Sequence, residues 1–524
     1  MTRESLFVRG GSIFVLALCG LFTACGGSST PATPVVTISK TQNPLVAQYS
    51  LSTNCAGQAM VEFGPDTSYG RSTAWYGTPG SSGGGTANIL VAGMRPSTTY
   101  HMRSTFQCNG STFTSQDQTF TTGPLPSSTP FPSLVVNRPN PSLSSLENPG
   151  IELTNLLDAT PTPTSIQKAV ITDRDAHPIW YYDVGVAKGY WPYTYKLLPN
   201  GHMIFSITRL VTQGTILREV DLAGNTVREM DTGVLASRMK QAGFSFVING
   251  YHHDLLPLDN GHLIVLGNYS VPFTDLPGYP GVTKVLGDAL VDLDPNWNPV
   301  WAWTTFDYLD VNRHLNGLPD WTHANAVVYS PEDGNLLLSM RHQSWVIKID
   351  YENGTGSGNI LWKLGYQGNF TLAPTNQPID WFSFQHYPWI IGQNGPQTTL
   401  TVWDNGDNRV LNTQGEICGV PGAPGCYSRA TIFQVDESAN VATLEWYYLP
   451  QEFSFFGGSI NQLQNNNVEF DLNAPAGGAF GAQVQEVTQT ANPQMVWTMT
   501  VNFPEYAYRA YRIPSLYPGV SWKY

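Results

Sequence analysis

A unit made of a tight turn and a strand recurs four times between residues 197 and 402, and it narrows what this chain can fold into. The copies read Leu197-Leu-Pro-Asn-Gly-His-Met-Ile-Phe205, Leu256-Pro-Leu-Asp-Asn-Gly-His-Leu-Ile-Val265, Tyr329-Ser-Pro-Glu-Asp-Gly-Asn-Leu-Leu-Leu338 and a diverged Ile391-Gly-Gln-Asn-Gly-Pro-Gln-Thr-Thr-Leu-Thr-Val402. A second unit alternates with it, in which an apolar strand ends in Asp and the next strand carries Trp. Examples are Val291-Asp-Leu-Asp with Val300-Trp-Ala-Trp, and Ile347-Lys-Ile-Asp with Ile360-Leu-Trp-Lys. Asn-Gly supplies the positive φ angles that a two-residue hairpin demands. Two hairpins make one four-stranded sheet, and sheets repeating every roughly 50–70 residues predict a β-propeller, with six blades in the 147–524 stretch.

The chain ahead of the repeats reads differently. Arg3 and Arg9 precede an apolar run from Ile13 to Phe22, followed by Thr23-Ala24-Cys25. A basic start, a short apolar stretch and small residues before a cysteine predict a lipoprotein signal peptide over 1–25, with Cys25 lipidated. Residues 26–34 read as a tether. Short alternating strands over 35–123 predict a small β-sandwich, and Leu90…Met94-Arg-Pro-Ser-Thr-Thr-Tyr100 resembles the corner of fibronectin type III and immunoglobulin-like domains. Residues 124–146, rich in Pro and Ser, read as a linker. The expected fold class is all-β.

Charged residues make up only 12% of the chain, and its formal charge is −13. That balance argues against a nucleic-acid partner, which needs a basic face. No later segment is long and apolar enough to span a bilayer, so membrane attachment would be through the acyl chain alone. The expected location is the cell envelope, on the periplasmic side. Four cysteines remain beyond the leader, and an oxidising compartment favours Cys55–Cys108 and Cys418–Cys426 as disulfides. Metal-type cysteine spacing is missing, and neither a metal nor another cofactor is expected.

Superposing the turns brings out a candidate site. His253 lies eight residues before Gly261 and Tyr193 eight before Gly201. His323 lies eleven before Gly334 and His386 nine before Gly395. If these are innermost strands, three imidazoles converge on one axis. Arg341 follows the strand Leu336-Leu-Leu-Ser-Met340 in the same repeat as His323. Three histidines and an arginine suit a tetrahedral oxyanion, because Arg offers a rigid fork of donors and His donates, protonates or attacks. His252 and His253 are adjacent, so strand alternation sends them to opposite faces, and His253 is preferred for the site. By the same alternation His342 is expected to point away from it. His202 and His262 follow Asn-Gly turns and read as surface residues.

Residues 150–524 resemble the bacterial arylsulfate sulfotransferase family. The pieces that carry the resemblance are His252-His-Asp254 with Asn260-Gly-His262, Asp320-Trp-Thr-His-Ala-Asn325, Ser339-Met-Arg-His-Gln-Ser344, Gln385-His386 with Trp389, and Val402-Trp-Asp-Asn-Gly-Asp-Asn-Arg409. The resemblance implies a six-bladed propeller behind a β-sandwich. It also implies transfer of sulfate from a phenolic sulfate donor to a phenol acceptor, without a nucleotide sulfate, by ping-pong turnover through a sulfohistidine. His386 would be the nucleophile, and His253 or His323 the general acid. His323, Asn325 and Arg341 would hold the sulfuryl oxygens, with His252 and Tyr193 in further substrate contacts. The sandwich offers a surface for a homodimer. Two other readings of the same residues are a non-catalytic binding lipoprotein on a propeller scaffold and an aryl-sulfate hydrolase.

Overall fold

The Asn-Gly turns close the hairpins, but through three-residue loops rather than two-residue ones, and the glycine alone takes the positive φ. Gly201 and Gly261 adopt φ of +83° and +84°, and in each turn a backbone bond runs across the loop, from Leu198 to His202 and from Leu258 to His262. The computed structural model describes residues 34–522 except 79–84, 128–130, 159–168, 186–188, 210–213, 421–422, 474–479 and 503–504. The expected leader, its Cys25 and all but the last residue of the tether lie outside the described residues.

The described chain is all-β, and its sheets are built from antiparallel neighbours apart from one short parallel edge pair. Two sheets occupy the N-terminal part. One joins Val35–Lys40, Ala47–Thr53 and Gly85–Val91; the other is centred on Gly57–Gly64 and Thr99–Cys108. Both bury alternate residues in a shared cluster that includes Tyr49, Leu51, Val61, Phe63, Ile89 and Met102. The Tyr100 hydroxyl accepts a bond from the Arg95 backbone N–H at 2.9 Å, the corner expected from the sequence. Cys55–Cys108 and Cys418–Cys426 are both bridged.

Six further sheets follow. Three take their strands in chain order, opening with Tyr190–Leu197, Gly250–Pro257 and Ala324–Ser330, and a fourth does so from His386–Asn394 to Val441–Tyr448, with the earlier short strand Thr371–Ala373 added at its far edge. The fifth opens with Ser459–Gln462 and ends, across Met495–Val501, on Leu134–Asn137. That last strand lies in the stretch expected to be a linker, where Leu-Val-Val-Asn pairs as an edge strand and the following Pro141–Leu146 forms a 3-10 turn. The sixth joins the two ends of the repeat region, with Glu505–Ile513 paired to Ile151–Asp158.

The leading strands touch one another in succession. Tyr190–Leu197 packs beside Gly250–Pro257, then come Ala324–Ser330, His386–Asn394, Ser459–Gln462 and Glu505–Ile513, and Ile151–Asp158 returns to Tyr190–Leu197. Faces between neighbouring sheets hold the apolar clusters, such as Leu266, Leu290, Val327, Leu338 and Ile347. The strand centres are buried on both faces, which is why they read as apolar runs rather than as alternation.

Candidate active site

Register slips aim the site. In five of the six sheets the leading strand carries extra residues against its partner. The slips fall between Pro192 and Thr194, Tyr251 and Leu255, Ala324 and Ala326, and His386 and Trp389. In the strand Glu505–Ile513, Asn155 pairs with Arg509 and Leu156 with Ala507, so Tyr508 is skipped. A bulge bends the strand and turns an extra side chain out of the ladder. The residues delivered in this way are Tyr193, the 252–254 group, Asn325, Tyr387 and Tyr508. His253, His323 and Tyr387 have φ of +54°, +49° and +45°, a conformation that costs on the order of 1 kcal/mol or more for a non-glycine residue.

The bulges bring together rings that the sequence spreads over more than three hundred residues. The His253 ring lies 5.1 Å from Tyr193, 4.7 Å from His323 and 5.7 Å from Tyr508. Tyr508 in turn lies 6.0 Å from His386. His253 Nε2 is 2.9 Å from the Tyr193 hydroxyl, and its Nδ1 is 2.7 Å from His252 Nδ1. His252 Nε2 faces Asp288 Oδ1 at 3.1 Å. The 3.1 Å contact is an ion-pair approach without a hydrogen bond, since the buried His252 Nε2 has no hydrogen-bond partner. His252 and His253 therefore meet ring to ring rather than on opposite faces, because the left-handed turn at His253 breaks the alternation.

His386 is buried, and its Nδ1 lies 2.7 Å from Asn405 Oδ1. The Asn405 amide nitrogen donates to the carbonyls of Ser454 and Gly457, at 2.8 and 3.1 Å. Two carbonyl partners fix the amide's orientation, so Oδ1 must receive the Nδ1–H of His386, which leaves the lone pair on Nε2. Asn325 supports the same residue from the other side: its Nδ2 donates to the Gln385 carbonyl at 2.7 Å, on the peptide leading into His386.

Arg341 sits in a 3-10 turn, Arg341–Gln343, that follows the strand Asn335–Met340. Its Nη2 reaches the Phe455 carbonyl at 2.9 Å and Asp407 Oδ2 at 3.4 Å, while Nη1 meets His342 Nε2 at 2.9 Å. The buried Nε has no hydrogen-bond partner. His342 does not point away. Its ring lies tilted 4.5 Å from that of His323, because a 3-10 turn, not a strand, carries it and sets consecutive side chains about 120° apart rather than on opposite faces. His323 Nδ1 is 2.6 Å from Asp320 Oδ2. Asp320, His323 and His342 hold ligand atoms within 4.8 Å of one another, a spacing that suits a cation. The Arg341 guanidinium already lies against His342 Nε2, and its charge opposes that use.

One loop serves both His386 and Arg341. Asn405 orients the histidine and Asp407 faces the arginine, and Gly406 between them has φ +82°. Asp404 anchors the loop through ion pairs with Arg409 at 2.9 Å and Arg429 at 2.6 Å, all three side chains being buried. Beneath His253, Asp254 lies 3.0 Å from Arg509 Nη1 and 2.7 Å from Lys196 Nζ.

Burial governs the titration of the site. Desolvation, with Arg341 nearby, holds His386 well below the ordinary imidazole range. Desolvation and the neighbouring His323 and His252 do the same to His253, and burial brings His342 down to about 4. All three are neutral at neutral pH, so His386 keeps an unprotonated nitrogen. Burial pushes Asp407 up to about 7 against the pull of Arg341. Burial also lowers Arg341, with Asp407 opposing.

The structure thus gathers His386, His253, His323, His252, Tyr193, Asn325 and Arg341 in one region. Sequence reasoning passed over Asp320, Asn405 and Asp407, although all three stand inside motifs it quoted. Tyr508 and Arg509 lie outside every repeat and carried no signal. His202 and His262, read as surface residues, pair with Glu219 and Asp292 at 2.6 and 2.9 Å, away from the cluster.

A sequence profile of the arylsulfotransferase (ASST) family matches residues 149–512. Arylsulfate sulfotransferase AssT of Escherichia coli O6:H1 (strain CFT073) is 28% identical over 189 residues, 32% of this chain and 28% of that protein. The AssT of Lelliottia amnigena is 27% identical over 161 residues, 27% of this chain and 24% of that protein. The alignments therefore span well under half the length of either relative. Among solved structures, Kuenenia stuttgartiensis hydrazine synthase aligns with TM-score 0.28 at 8% identity, over 79% of this chain and 95% of that chain. A Synechocystis apocarotenoid oxygenase mutant aligns with TM-score 0.30 at 10% identity, over 92% of this chain and 95% of that one. Likenesses this low carry no argument.

Proposed function

The chain belongs to the arylsulfotransferase family, and from that membership we propose that it moves a sulfuryl group from an aryl sulfate to a phenol in two displacements at His386. The observation that carries this reading is the pinned tautomer of His386, a buried neutral imidazole with its lone pair on Nε2 beside three further histidines and Arg341. In the first step Nε2 attacks sulfur and the bond from sulfur to the aryl oxygen breaks. The leaving phenolate takes a proton from the general acid, His253 or His323 in the family reading. In the second step an incoming phenol returns that proton, its oxygen attacks sulfur, and the bond from nitrogen to sulfur breaks. Arg341 and His323 face the sulfuryl oxygens, where a fixed fork and an imidazole donor stabilise the charge that spreads over them. Asn325 holds the peptide before the nucleophile, and the family reading adds a contact from it to the sulfuryl group.

The six-sheet circuit is read as a six-bladed β-propeller over 147–524, with the 35–123 sheets as a fibronectin-type sandwich. Strand contacts that run from sheet to sheet and return to the first support that reading. Lipid attachment at Cys25 on the periplasmic face of the envelope, and a homodimer through the sandwich, complete the proposal. Its support is the basic-then-apolar leader and the two disulfides. Among the described residues no helix is long and apolar enough to cross a membrane.

The test uses p-nitrophenyl sulfate with and without phenol, for wild type and His386→Ala. Phenol-dependent nitrophenolate release that the substitution abolishes is expected. Incubation with donor alone should add ~80 Da, one sulfuryl group, to the wild-type protein. Release at the same rate without any acceptor would make it a hydrolase, and no release from a panel of aryl sulfates would return the chain to a binding role.

A further inference from the structure

Two neighbouring cavities share Phe384 and Asn408 in their walls, and the smaller reaches Arg341. The smaller, about 170 Å³, is bounded by Asn316, Arg341, Asp407 and the disulfide-loop residues Gly419 and Cys426. The larger, about 280 Å³, lies on the other side of Phe384 and Asn408, which line both, and is walled by Tyr366, Trp381 and Phe382. Leu315 and Ile417 line the larger cavity while remaining 45% and 48% exposed. Ile417 directly precedes the bridged Cys418, and the Cys418 N–H is tied to the Arg409 carbonyl, so the loop is held over the cavity.

The chemistry of the two cavities differs. The smaller is polar, with Arg341 and Asp407 in its wall and the Arg341 Nε buried without a partner. The larger is aromatic and carries no free charge. Its one ionic side chain, Arg409, is paired with Asp404 and donates to the carbonyls of Trp381 and Tyr427, with Nε alone left without a partner. Phe384 joins them: its ring lies under the Arg341 guanidinium at 4.8 Å and 5.6 Å from His342. A ligand that fits both has an oxygen function at one end and a neutral, flat apolar body at the other.

We infer that this double cavity is the acceptor subsite, taking a phenol whose one- or two-ring aryl body lies in the larger cavity under Leu315 and Ile417, with its oxygen toward Arg341. The inference rests on the sulfuryl-transfer reading and adds to it the wall that selects the acceptor. An apolar pocket prefers the larger aryl group because each additional ring face removes more apolar surface from water.

The test compares 2-naphthol with phenol as acceptors, at fixed p-nitrophenyl sulfate, for wild type, Ile417→Asp and Leu315→Asp. The control is Val282→Asp, at a position 74% exposed that lines neither cavity. The ratio of kcat/KM for 2-naphthol to that for phenol should fall about tenfold in both cavity variants and hold in the control. An unchanged ratio in both cavity variants overturns the assignment. If wild type transfers nothing, the sulfuryl reading fails on its own, and equilibrium dialysis with 2-naphthol decides the cavity. Weaker binding in the two cavity variants than in the control keeps it as an aryl site, and equal binding, or none in wild type, removes it.

Discussion

His386 Nδ1 stands 2.7 Å from Asn405 Oδ1, and the nitrogen of that amide is committed to the carbonyls of Ser454 and Gly457. The pair makes the free ring nitrogen of His386, Nε2, a consequence of a neighbouring loop. Asn405→Ala releases the ring to either tautomer. Turnover should fall on the order of 100- to 10,000-fold in kcat with little change in KM, as when a tautomer-fixing partner is lost elsewhere. Steady-state kinetics with p-nitrophenyl sulfate and phenol checks this, and a wild-type kcat would sink the claim.

Gly406 links Asn405 to Asp407 in the left-handed region. An added Cβ there would meet the Tyr427 carbonyl oxygen at 2.0 Å. Gly406→Ala must therefore move the loop, with a strain of about 1–3 kcal/mol. Both ends of the loop carry site residues, so donor KM and kcat should worsen together. A variant that is less stable in urea unfolding yet kinetically normal would show that the loop does not position the site.

Asp407 titrates at about 7, beside Arg341. Below that pH it is neutral and leaves the positive field of Arg341 uncompensated. Above it, the carboxylate opposes an incoming sulfate ester. KM for the anionic donor should rise as pH passes upward through 7, and Asp407→Asn should flatten that rise. The same shift makes a stability statement. Asp407 is harder to ionise folded than unfolded, so ionisation costs stability as pH rises from the ordinary carboxylate range towards 7. Asp407→Asn should narrow the loss of thermal stability over that window, and an unaltered profile would count against the assignment.

Asp254 meets Arg509 and Lys196 in the buried layer under His253. Asp254→Ala leaves a buried guanidinium without its counter-charge, a loss of about 3–5 kcal/mol. Chemical unfolding reads this directly, and a midpoint equal to wild type would mean that water or another group already serves Arg509.

Periodicity made much of the fold legible. Asn-Gly at a fixed distance from a β-branched run dictates a hairpin whatever surrounds it, because the turn's backbone angles are local. The corner tyrosine, Tyr100, and both disulfides were legible for the same reason, since each depends on short spacings or on compartment. Repetition also exposed His253, His323 and His386, because equivalent positions on equivalent strands occupy equivalent places. The expected linker was less legible, since a Pro- and Ser-rich composition does not reveal that Leu134–Asn137 has an open sheet edge to join.

What the sequence could not decide depended on bulges, turns and chain closure. Alternation assigns His252 and His253 to opposite faces and turns His342 away, and it fails wherever a residue enters the left-handed region or a 3-10 turn interrupts the strand. Tyr508 and Arg509 reach the site only because the last strand folds back to pair with Ile151–Asp158, a closure more than three hundred residues long that no local pattern encodes. Residue types and their repeat were thus fixed by the chain itself. Which ring nitrogen carries a proton, which carboxylate faces Arg341 and what walls the aryl cavity were decided by packing between strands far apart in sequence, since hydrogen-bond geometry exists only once those strands are side by side.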